Sequence, residues 1–467
     1  MPAIIWDPET WANQNFESCQ LGNRARNRRL MIIAKQLVSR SSSSLPDQTE
    51  GWADCKAAYR FFDTQAITYQ KIIQPHCRLT RTCAQPGEVK LIIDDTTEID
   101  YTSLRETTGL GPIGNGKCRG FFLHSALMVD AGKRYRVDGL AAQEVFYRKA
   151  RTGPKKKAKN SQRRCADRES AVWGRVFDAV GRPPAGAIYK HVCDRGADDI
   201  EVMWRALHNG CGFVIRASRL KRKVLLTAEG GTVPLLDVLA KLPAVGATRT
   251  VTVPATQRTK QRTATVTLRY GTVWIPLSAT LTPWLKQHRP AGPLRVGVVE
   301  LREEHPPAGQ KAIRWVLYTD QPITCEAEAN LIVEYYEQRW AIEEFHKALK
   351  TGCGVEKRQL QTAERLENVV AVSSVVAVRL LQLKTAARDT PERPARELIP
   401  TVWIKLLQKF RKRPVNLDIS TYAFLREMAG LGGFFGRKGD GEPGWITIWR
   451  GFEKLGLIVR TFDTLTK

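Results

Sequence analysis

The sequence contains no C-x-x-C cysteine pair and few histidines, and these scarcities argue against a zinc-finger type of metal site. Ten cysteines are scattered over 467 residues, none of them forms a C-x-x-C pair, and the seven histidines are equally dispersed. Zinc sites and disulfide frameworks show short, regular ligand or cysteine spacings. Most of these thiols are therefore predicted to be reduced packing residues, and any catalytic metal is expected on carboxylates.

Long apolar runs are also lacking. No stretch of about 18 uncharged apolar residues occurs, which argues against a membrane span. The first seven residues have neither a basic n-region nor a long apolar segment, so secretion is not expected. Hydrophobic residues make up 43% and charged residues 26% of the chain, which excludes wholesale disorder. We predict a cytoplasmic protein.

Acidic residues are too few to balance the basic ones. The chain has 73 Lys and Arg against 47 Asp and Glu, a formal net charge of +26. Lysine and arginine neutralise phosphates and release counterions, so nucleic acid is the expected partner; the alternative is a basic isoelectric point without a function. Separate basic clusters favour contact with a long polyanion, and they lie at residues 24–29, 148–164, 219–223 and 409–413.

The texture of the chain changes three times. Residues 1 to about 70 have helical periodicity, and residues from about 88 to 147 form short apolar runs typical of strands. Polar and apolar residues then alternate as in β-structure from residue 212 to about 318, and helical periodicity returns from about 326. The predicted domains are a helical N-terminal region over 1–70, a core over 71–370 that is interrupted by a β-rich insertion over 219–311, and a helical C-terminal region over 371–467. The predicted fold class is mixed α/β.

Two aspartates follow predicted strands directly. Asp95 comes after the apolar run 89–93, and Asp194 comes after the strand that ends at Cys193. Sites in α/β folds usually form at such strand ends, although a single aspartate there is more often a turn or helix cap. Asp94 would point to the opposite face of its strand, so only one of Asp94 and Asp95 can reach a shared site.

The segment 331–350 is predicted to be one helix with a polar stripe. At about 100° per residue, positions i, i+3, i+7 and i+14 lie within an arc of roughly 60°. These positions carry Tyr336, Arg339, Glu343 and Lys350. Such spacing also suits a core seam, but these polar residue types do not.

Glu344 lies about 100° from the stripe and is expected at the surface or in support of the site, and His346 is expected to be structural.

These residues together resemble the DDE transposases of bacterial insertion sequences, in the cut-and-paste branch that a Y-R-E-K helix marks. The resemblance covers nearly the whole chain. It is carried by D-T-T at 95–97, C-D-R-G-A-D at 193–198 and Q-R-W-A-I-E-E-F-H-K at 338–347, with further similarity around residues 21–29, 58–61, 119–125 and 431–449. The basic segment 148–164 departs from the family pattern, where an acidic or neutral loop is expected.

The resemblance implies an RNase H-like catalytic core with an inserted antiparallel β subdomain. It also implies a helical N-terminal region that binds DNA ends and a helical C-terminal dimerisation region. The long gap between Asp194 and Glu343 and its β texture fit the insertion. For the C-terminal segment, whose apolar residues begin at Trp445 and Ile446, an ordinary core helix remains the alternative.

The implied chemistry is metal-dependent cleavage and joining of DNA. Asp95, Asp194 and Glu343 would hold two Mg²⁺ ions about 3.5–4 Å apart, because Mg²⁺ prefers hard oxygen ligands; Mn²⁺ is expected to substitute. The same site would nick the DNA, form a hairpin at the transposon end, open it and join the freed 3′ hydroxyl to target DNA.

Further residues match the family's DNA contacts. Tyr336, Arg339 and Arg216 would hold phosphates, and Lys350 would contact the terminal phosphate of the other strand. Trp315 would stack on a flipped base, with a core tryptophan as the alternative. Arg26 and Arg29 would contact the end of the element.

The leading hypothesis is a Mg²⁺-dependent homodimeric transposase that acts on paired DNA ends and target DNA at the nucleoid. The first alternative is a stand-alone nuclease with the same core but no strand transfer. The second is a DNA-binding or transposition-inhibiting protein without catalysis, which the presence of all three acids disfavours.

Overall fold

A computed structural model describes residues 7–39, 44–132, 136–148, 168–253, 262–278, 280–288 and 290–466. The chain divides into two units. Unit 1 comprises Met1–Ala84, Thr96–Arg148 and Ala341–Lys467, and unit 2 comprises Gln85–Asp95 and Lys149–Trp340.

Five helices begin unit 1, as the periodicity predicts. They are α1 (Pro8–Phe16), α2 (Arg24–Ser39), α3 (Leu45–Gln48), α4 (Trp52–Phe62) and α5 (Tyr69–Arg81). Asp7 caps α1 by accepting a hydrogen bond from the Thr10 N–H, and proline stands at the start of that helix, where its missing N–H costs nothing. Leu30, Ile33 and Leu37 form the buried stripe of α2, which packs against α1.

Four strands follow, and the first of them spans the boundary between the units. They are β1 (Val89–Asp100), β2 (Gly111–Ile113), β3 (Cys118–Asp130) and β4 (Val137–Phe146). In unit 1 the strand order is β2-β3-β1, and β4 pairs with β3 in an antiparallel hairpin. Residues 120–129 of β3 are all buried, which explains why most of them are apolar.

Unit 2 contains the parallel strands that carry the two aspartates. After α6 (Ala171–Val180) come β5 (Ile188–Cys193), α7 (Ile200–His208) and β6 (Gly212–Arg216). β5 lies between β1 and β6 and is parallel to both. The connection from β5 to β6 runs through α7, a crossover of the kind that parallel neighbours require.

An antiparallel insertion extends this sheet. Its elements are β7 (Lys223–Leu225), β8 (Thr232–Pro234), α8 (Leu235–Lys241), β9 (Val245–Val253), β10 (Arg262–Ile275), α9 (Pro283–His288) and β11 (Leu294–Arg302). The chain then returns through β12 (Arg314–Thr319), and the sheet of unit 2 has the order β1-β5-β6-β12-β11-β10-β7-β8, with β9 on β10. The mixed α/β class with an antiparallel insertion is confirmed.

The prediction of one continuous helix over 331–350 is wrong. Helix α10 (Glu326–Glu337) ends before α11 (Trp340–Lys347) begins, and a π-helical turn follows at Ala348–Gly352. The Arg339 N–H bonds to the Tyr336 carbonyl three residues back at 3.0 Å, so the break is a tight turn. Periodicity arguments miss such breaks because the side-chain pattern continues across them.

Four helices complete unit 1, and the first of them forms its core. They are α12 (Ala363–Asp389), α13 (Thr401–Phe410), α14 (Thr421–Leu431) and α15 (Trp445–Leu465). Of the described helices, α12 alone is long and apolar enough to cross a membrane, but 94% of its apolar window is buried inside the protein. Its apolar character is that of a core helix.

The nine described cysteines are free thiols, six of them buried, and Cys165 lies outside the described residues.

Candidate active site

Asp95 and Asp194 extend from neighbouring parallel strands at the same level of the sheet. The register pairs Asp94 with Cys193, so the next residues of β1 and β5 follow side by side. An Asp194 side-chain oxygen also accepts the Gly196 N–H at 2.7 Å and thereby caps the 3₁₀ turn Arg195–Ala197. Asp194 is therefore a cap directly after a strand, and its role as a site residue stays a prediction.

A positive charge lies beside Asp95. An Arg339 guanidinium nitrogen is 3.3 Å from an Asp95 carboxylate oxygen, and the two side chains are 17% and 21% exposed. Partial burial strengthens this attraction relative to water. The break after α10 therefore places an arginine of the Y-R-E-K motif against a candidate metal ligand.

Asp94 is directed elsewhere. Its carboxylate lies 2.8 Å from the His191 Nδ1, both side chains are fully buried, and the Phe177 ring stacks on the imidazole at 3.6 Å. Burial alone would lower the pKa of His191, but the attraction of Asp94 outweighs it and raises that pKa to about 9. Asp94 and His191 thus join β1 to β5 beside Asp95 and Asp194. The prediction that Asp95 follows the end of its strand is wrong, because β1 continues to Asp100, whereas Asp194 does follow the last residue of β5.

Three further residues of the predicted site form one cluster in unit 2. The Trp315 ring on β12 meets the Tyr336 ring edge-on at 5.2 Å, and the Arg216 guanidinium lies 6.0 Å from the Trp315 ring centre. Trp315 is only half-buried, whereas Tyr336 is buried. Burial raises the pKa of the Tyr336 hydroxyl. The cluster presents an accessible indole beside an arginine, which is a suitable platform for a base or a phosphate.

The Y-R-E-K residues belong to different elements. Tyr336 lies in the last turn of α10, Arg339 in the break, Glu343 in the first turn of α11 and Lys350 in the π turn. The roughly 60° arc computed for one ideal helix therefore does not describe them. Glu343 is half-buried at a helix N-terminus, where the helix dipole favours a negative charge, and the Lys350 Nζ lies 3.2 Å from Glu356.

The donor chemistry suits a hard divalent cation. Asp95, inside β1, and Asp194, directly after β5, offer carboxylate oxygens, and Glu343 also carries a carboxylate. Among the described residues, no group of three or more His, Cys, Asp or Glu side chains is arranged as a metal site. The structure thus shows a pair of aspartates with an arginine beside one of them.

The two N-terminal arginines of the prediction both lie on α2 and both have partners in the protein. Arg29 forms an ion pair with Asp54, and Arg26 donates to the Leu21 carbonyl at 3.1 Å. Arg24 and Arg28 on the same helix are exposed. Sequence reasoning singled out the first two by resemblance and passed over the exposed pair, although the basic cluster contained all four.

Two further acidic residues inside the motifs have larger roles than the sequence indicated. Asp198 is buried and accepts the N–H groups of Ser218 and Arg219 at 2.8 and 3.2 Å, which ties the turn after Asp194 to the start of the insertion. Glu344 is bonded to Lys384 and Trp445. Burial alone would raise the pKa of Glu344, but these bonds hold that pKa below its usual range.

The basic segment 148–164 falls, from residue 149 onward, outside the described residues.

Three family models match the chain. "Transposase DNA-binding" matches residues 8–67, "Transposase DDE domain" matches residues 190–377, and "Transposase Tn5 dimerisation domain" matches residues 375–463. The second match contains Asp194 and Glu343, whereas Asp95 precedes it. The three matches follow one another along the chain in the order DNA binding, DDE domain and dimerisation.

A solved structure is similar to the chain at a low level. It is a cryo-EM structure of a piggyBac transposase synaptic complex with hairpin DNA, with 10% sequence identity and a TM-score of 0.38, and the alignment covers 94% of this chain and 83% of that chain. A similarity this low supports no inference about residues or reaction.

Proposed function

Because the chain belongs to the DDE transposases of bacterial insertion sequences, we propose that Asp95, Asp194 and Glu343 are its three metal-binding carboxylates. The three consecutive family matches make it a DNA transposase with an RNase H-like core, an enzyme that cleaves and joins DNA strands with a divalent metal. The observation that carries the proposal is the register of β1 and β5, which sets Asp95 and Asp194 side by side.

Two Mg²⁺ ions bound by these carboxylates would activate the attacking oxygen and stabilise the leaving oxygen of an in-line displacement at phosphorus. Asp95 and Asp194 are held by neighbouring strands, and Asp194 is oriented further by the Gly196 N–H. Asp94 and His191 lock the two strands together from the opposite face. Rigid placement of this kind matters because small displacements of catalytic groups reduce rates steeply.

Arg339 has a second task in this proposal. Its guanidinium partly neutralises Asp95 at 3.3 Å, and it offers further N–H groups in a planar fork that can bind a phosphate. Arg216 and Tyr336 would bind backbone phosphates near the terminal nucleotides, Trp315 would stack on a displaced base, and Lys350 would bind the terminal phosphate of the other strand.

The reaction that we propose is cut-and-paste transposition. One site nicks the transposon end, the freed 3′ hydroxyl attacks the opposite strand to form a hairpin, water opens the hairpin, and the 3′ hydroxyl then joins to target DNA. Each step breaks one phosphodiester bond, and the hydroxyl or water that attacks forms the new bond at phosphorus. The carboxylates and the ions would be the same throughout.

The division of labour along the chain follows the proposed domains. Region 1–70 would bind transposon ends through Arg26 and Arg29, the core over 71–370 with its insertion over 219–311 would carry the chemistry, and region 371–467 would hold two protomers together on paired ends. The enzyme would work where bacterial DNA is, on the nucleoid in the cytoplasm.

The test uses purified protein, DNA that carries the element's ends, and Mg²⁺ or Mn²⁺. The wild type should produce nicks, hairpins and joined products, and Glu343→Gln and Asp95→Asn should produce none while binding end DNA with unchanged affinity. Glu334→Gln is the matched control, because this glutamate lies on α10 with a side chain 57% exposed, and it should cleave normally.

Two outcomes would contradict the proposal. Normal cleavage by Glu343→Gln would remove that residue from the site. Cleavage without any joining of precleaved ends to target DNA would support the stand-alone nuclease instead.

A further inference from the structure

Glu344, the residue after the proposed third carboxylate, joins α11 to two later helices. One of its side-chain oxygens accepts hydrogen bonds from the Lys384 ammonium on α12 and from the Trp445 Nε1–H on α15, the latter at 2.7 Å. The Lys384 Nζ also lies 4.1 Å from the centre of the Trp445 ring. Three elements that are distant in sequence therefore meet at one carboxylate oxygen.

Burial makes this junction sensitive to the loss of one partner. The Lys384 side chain is 6% exposed and that of Glu344 is 17% exposed. An ammonium removed from water needs a counter-charge, so a neutral residue in place of Glu344 would leave the charge of Lys384 uncompensated in a buried position. The position of α11 is thus coupled to those of α12 and α15.

The π turn after α11 is held by the same two helices. Ala348 and Leu349 are buried, and a methyl group at Gly352 would lie 3.4 Å from Leu380 of α12 and 3.8 Å from the Trp449 ring of α15. The segment from Glu343 to Gly352 is therefore fastened at its start by polar bonds and at its end by close packing.

Helix α15 is not a passive support. It belongs to the segment that matches the dimerisation domain, and Trp445 is its first residue. Several of its apolar side chains are exposed, with exposed fractions of 51% for Ile446, 53% for Leu457 and 80% for Leu465. One face of α15 is thus bonded to α11, and other apolar residues of α15 are exposed. A shift of α15 caused by binding at its exposed face would therefore move α11, the helix that carries Glu343.

We infer that Glu344 is a positioning residue. Through its bonds, the position of the Glu343 carboxylate depends on the position of α15. The inference rests on the proposed function, because it takes Glu343 as a metal ligand. An ordinary structural ion pair would stabilise unit 1 without affecting how tightly the metal is bound. A positioning role and an ordinary ion pair therefore predict a different metal dependence of cleavage, not a different stability of the protein.

The experiment compares Glu344→Gln with Glu427→Gln. Glu427 is a partly exposed glutamate like Glu344, but it lies on α14 and its carboxylate binds Arg411 and Arg413, so Glu427→Gln matches the loss of an ion pair. For Glu344→Gln we expect a decrease in kcat of about 10- to 100-fold, the range for residues that orient metal ligands, and a higher Mn²⁺ concentration for half-maximal cleavage. End-DNA affinity should not change. The Mn²⁺-dependent increase in Tm should also shift to higher concentration, which is a readout independent of activity.

A compensating variant separates positioning from misfolding. Glu344→Gln combined with Lys384→Met removes both buried charges and keeps an acceptor for the Trp445 N–H, so it should regain most of the lost cleavage and metal affinity. Trp445→Phe keeps the ring and removes only the N–H, so it should show a smaller loss than Glu344→Gln.

The inference is overturned if Glu344→Gln has the wild-type Mn²⁺ dependence, or if Glu427→Gln shifts it equally. It is also overturned if the double variant recovers nothing. Glu343→Gln is measured in parallel. If that variant cleaves normally, the proposed function fails, whereas an inactive Glu343→Gln beside a wild-type-like Glu344→Gln refutes this inference alone.

Discussion

His76 is a buried histidine whose protonation opposes folding in acid. The Leu140 N–H donates to its Nε2 at 3.1 Å, so the ring proton is on Nδ1, which donates to the Asn15 side-chain oxygen at 2.7 Å. Both nitrogens are used by the neutral ring, and burial lowers the pKa of His76 to about 4. The neutral imidazole thus holds α5 to α1 and β4 within unit 1.

The expected consequence is a loss of stability in acid. Because an unfolded histidine titrates near pH 6.5, the unfolded chain binds a proton that the native ring refuses as the pH falls. The contribution of His76 is complete above about pH 6.5 and is lost towards pH 4, by roughly 2 kcal/mol between pH 7 and pH 5. The measurement is urea unfolding at both pH values for the wild type and His76→Gln, which cannot titrate. Equal pH dependence in the two proteins would contradict the assignment.

At the scale of elements, α14 and α15 approach so closely that two glycines are required. A methyl group at Gly451 would lie 1.9 Å from the Met428 carbonyl oxygen, and one at Gly432 would lie 1.9 Å from the Thr447 carbonyl oxygen. Both obstacles are backbone atoms, which cannot move without separating the helices. Sequence inspection noted Gly432 only as part of a family motif and could not reveal this contact.

Gly451→Ala should therefore destabilise the protein by about 1–3 kcal/mol or more, as overpacking does, and lower its Tm. Gly456→Ala is the matched control on the same helix, because a methyl there would have only ordinary contacts at 3.5 and 3.9 Å. Since alanine is the better helix former, the control should gain about 0.5–1 kcal/mol. Equal effects of the two substitutions on thermal unfolding would disprove the close contact at Gly451.

The breaks on either side of α11 are also properties of elements rather than of residues. The stripe of Tyr336, Arg339, Glu343 and Lys350 was read from a constant helical period, yet the structure distributes these residues over two helices, a tight turn and a π turn. The residue types were informative because their chemistry does not depend on the period. Their relative angles were not, because local hydrogen bonding decides whether the period is kept.

For the whole molecule, the net charge of +26 predicts DNA binding that is strongly sensitive to salt. If 6–10 phosphates are contacted, the affinity for end DNA should fall by about 10³–10⁵ between 50 and 200 mM salt, through counterion release. Fluorescence anisotropy at several salt concentrations measures the slope of log affinity against log salt. Replacing the exposed Arg28 of α2 with Gln should reduce that slope by about 1 if it binds a phosphate, whereas an unchanged slope would place that arginine away from the DNA.

Much of the plan of the molecule could be read from its residues. The helical ends, the apolar strand residues before Asp95 and Asp194 and the β-rich insertion follow from periodicity and composition, because burial of one face repeats along a helix or strand. The continuation of β1 beyond Asp95 to Asp100 does not follow from its apolar run. Sequence could also separate Asp94 from Asp95, since adjacent residues of a strand point to opposite faces. The partner of Asp94, His191, could not be inferred, because it depends on the register of two strands almost a hundred residues apart.

The sequence by itself determined which chemical groups are available: three carboxylates, an excess of cations and an aromatic beside an arginine. The tertiary structure alone decided how they are held, with Arg339 against Asp95, Trp315 against Tyr336, and Glu344 fastened to Lys384 and Trp445. Periodicity and composition are local properties of the chain, whereas these contacts arise when folding brings distant segments together and each buried charge must find a partner.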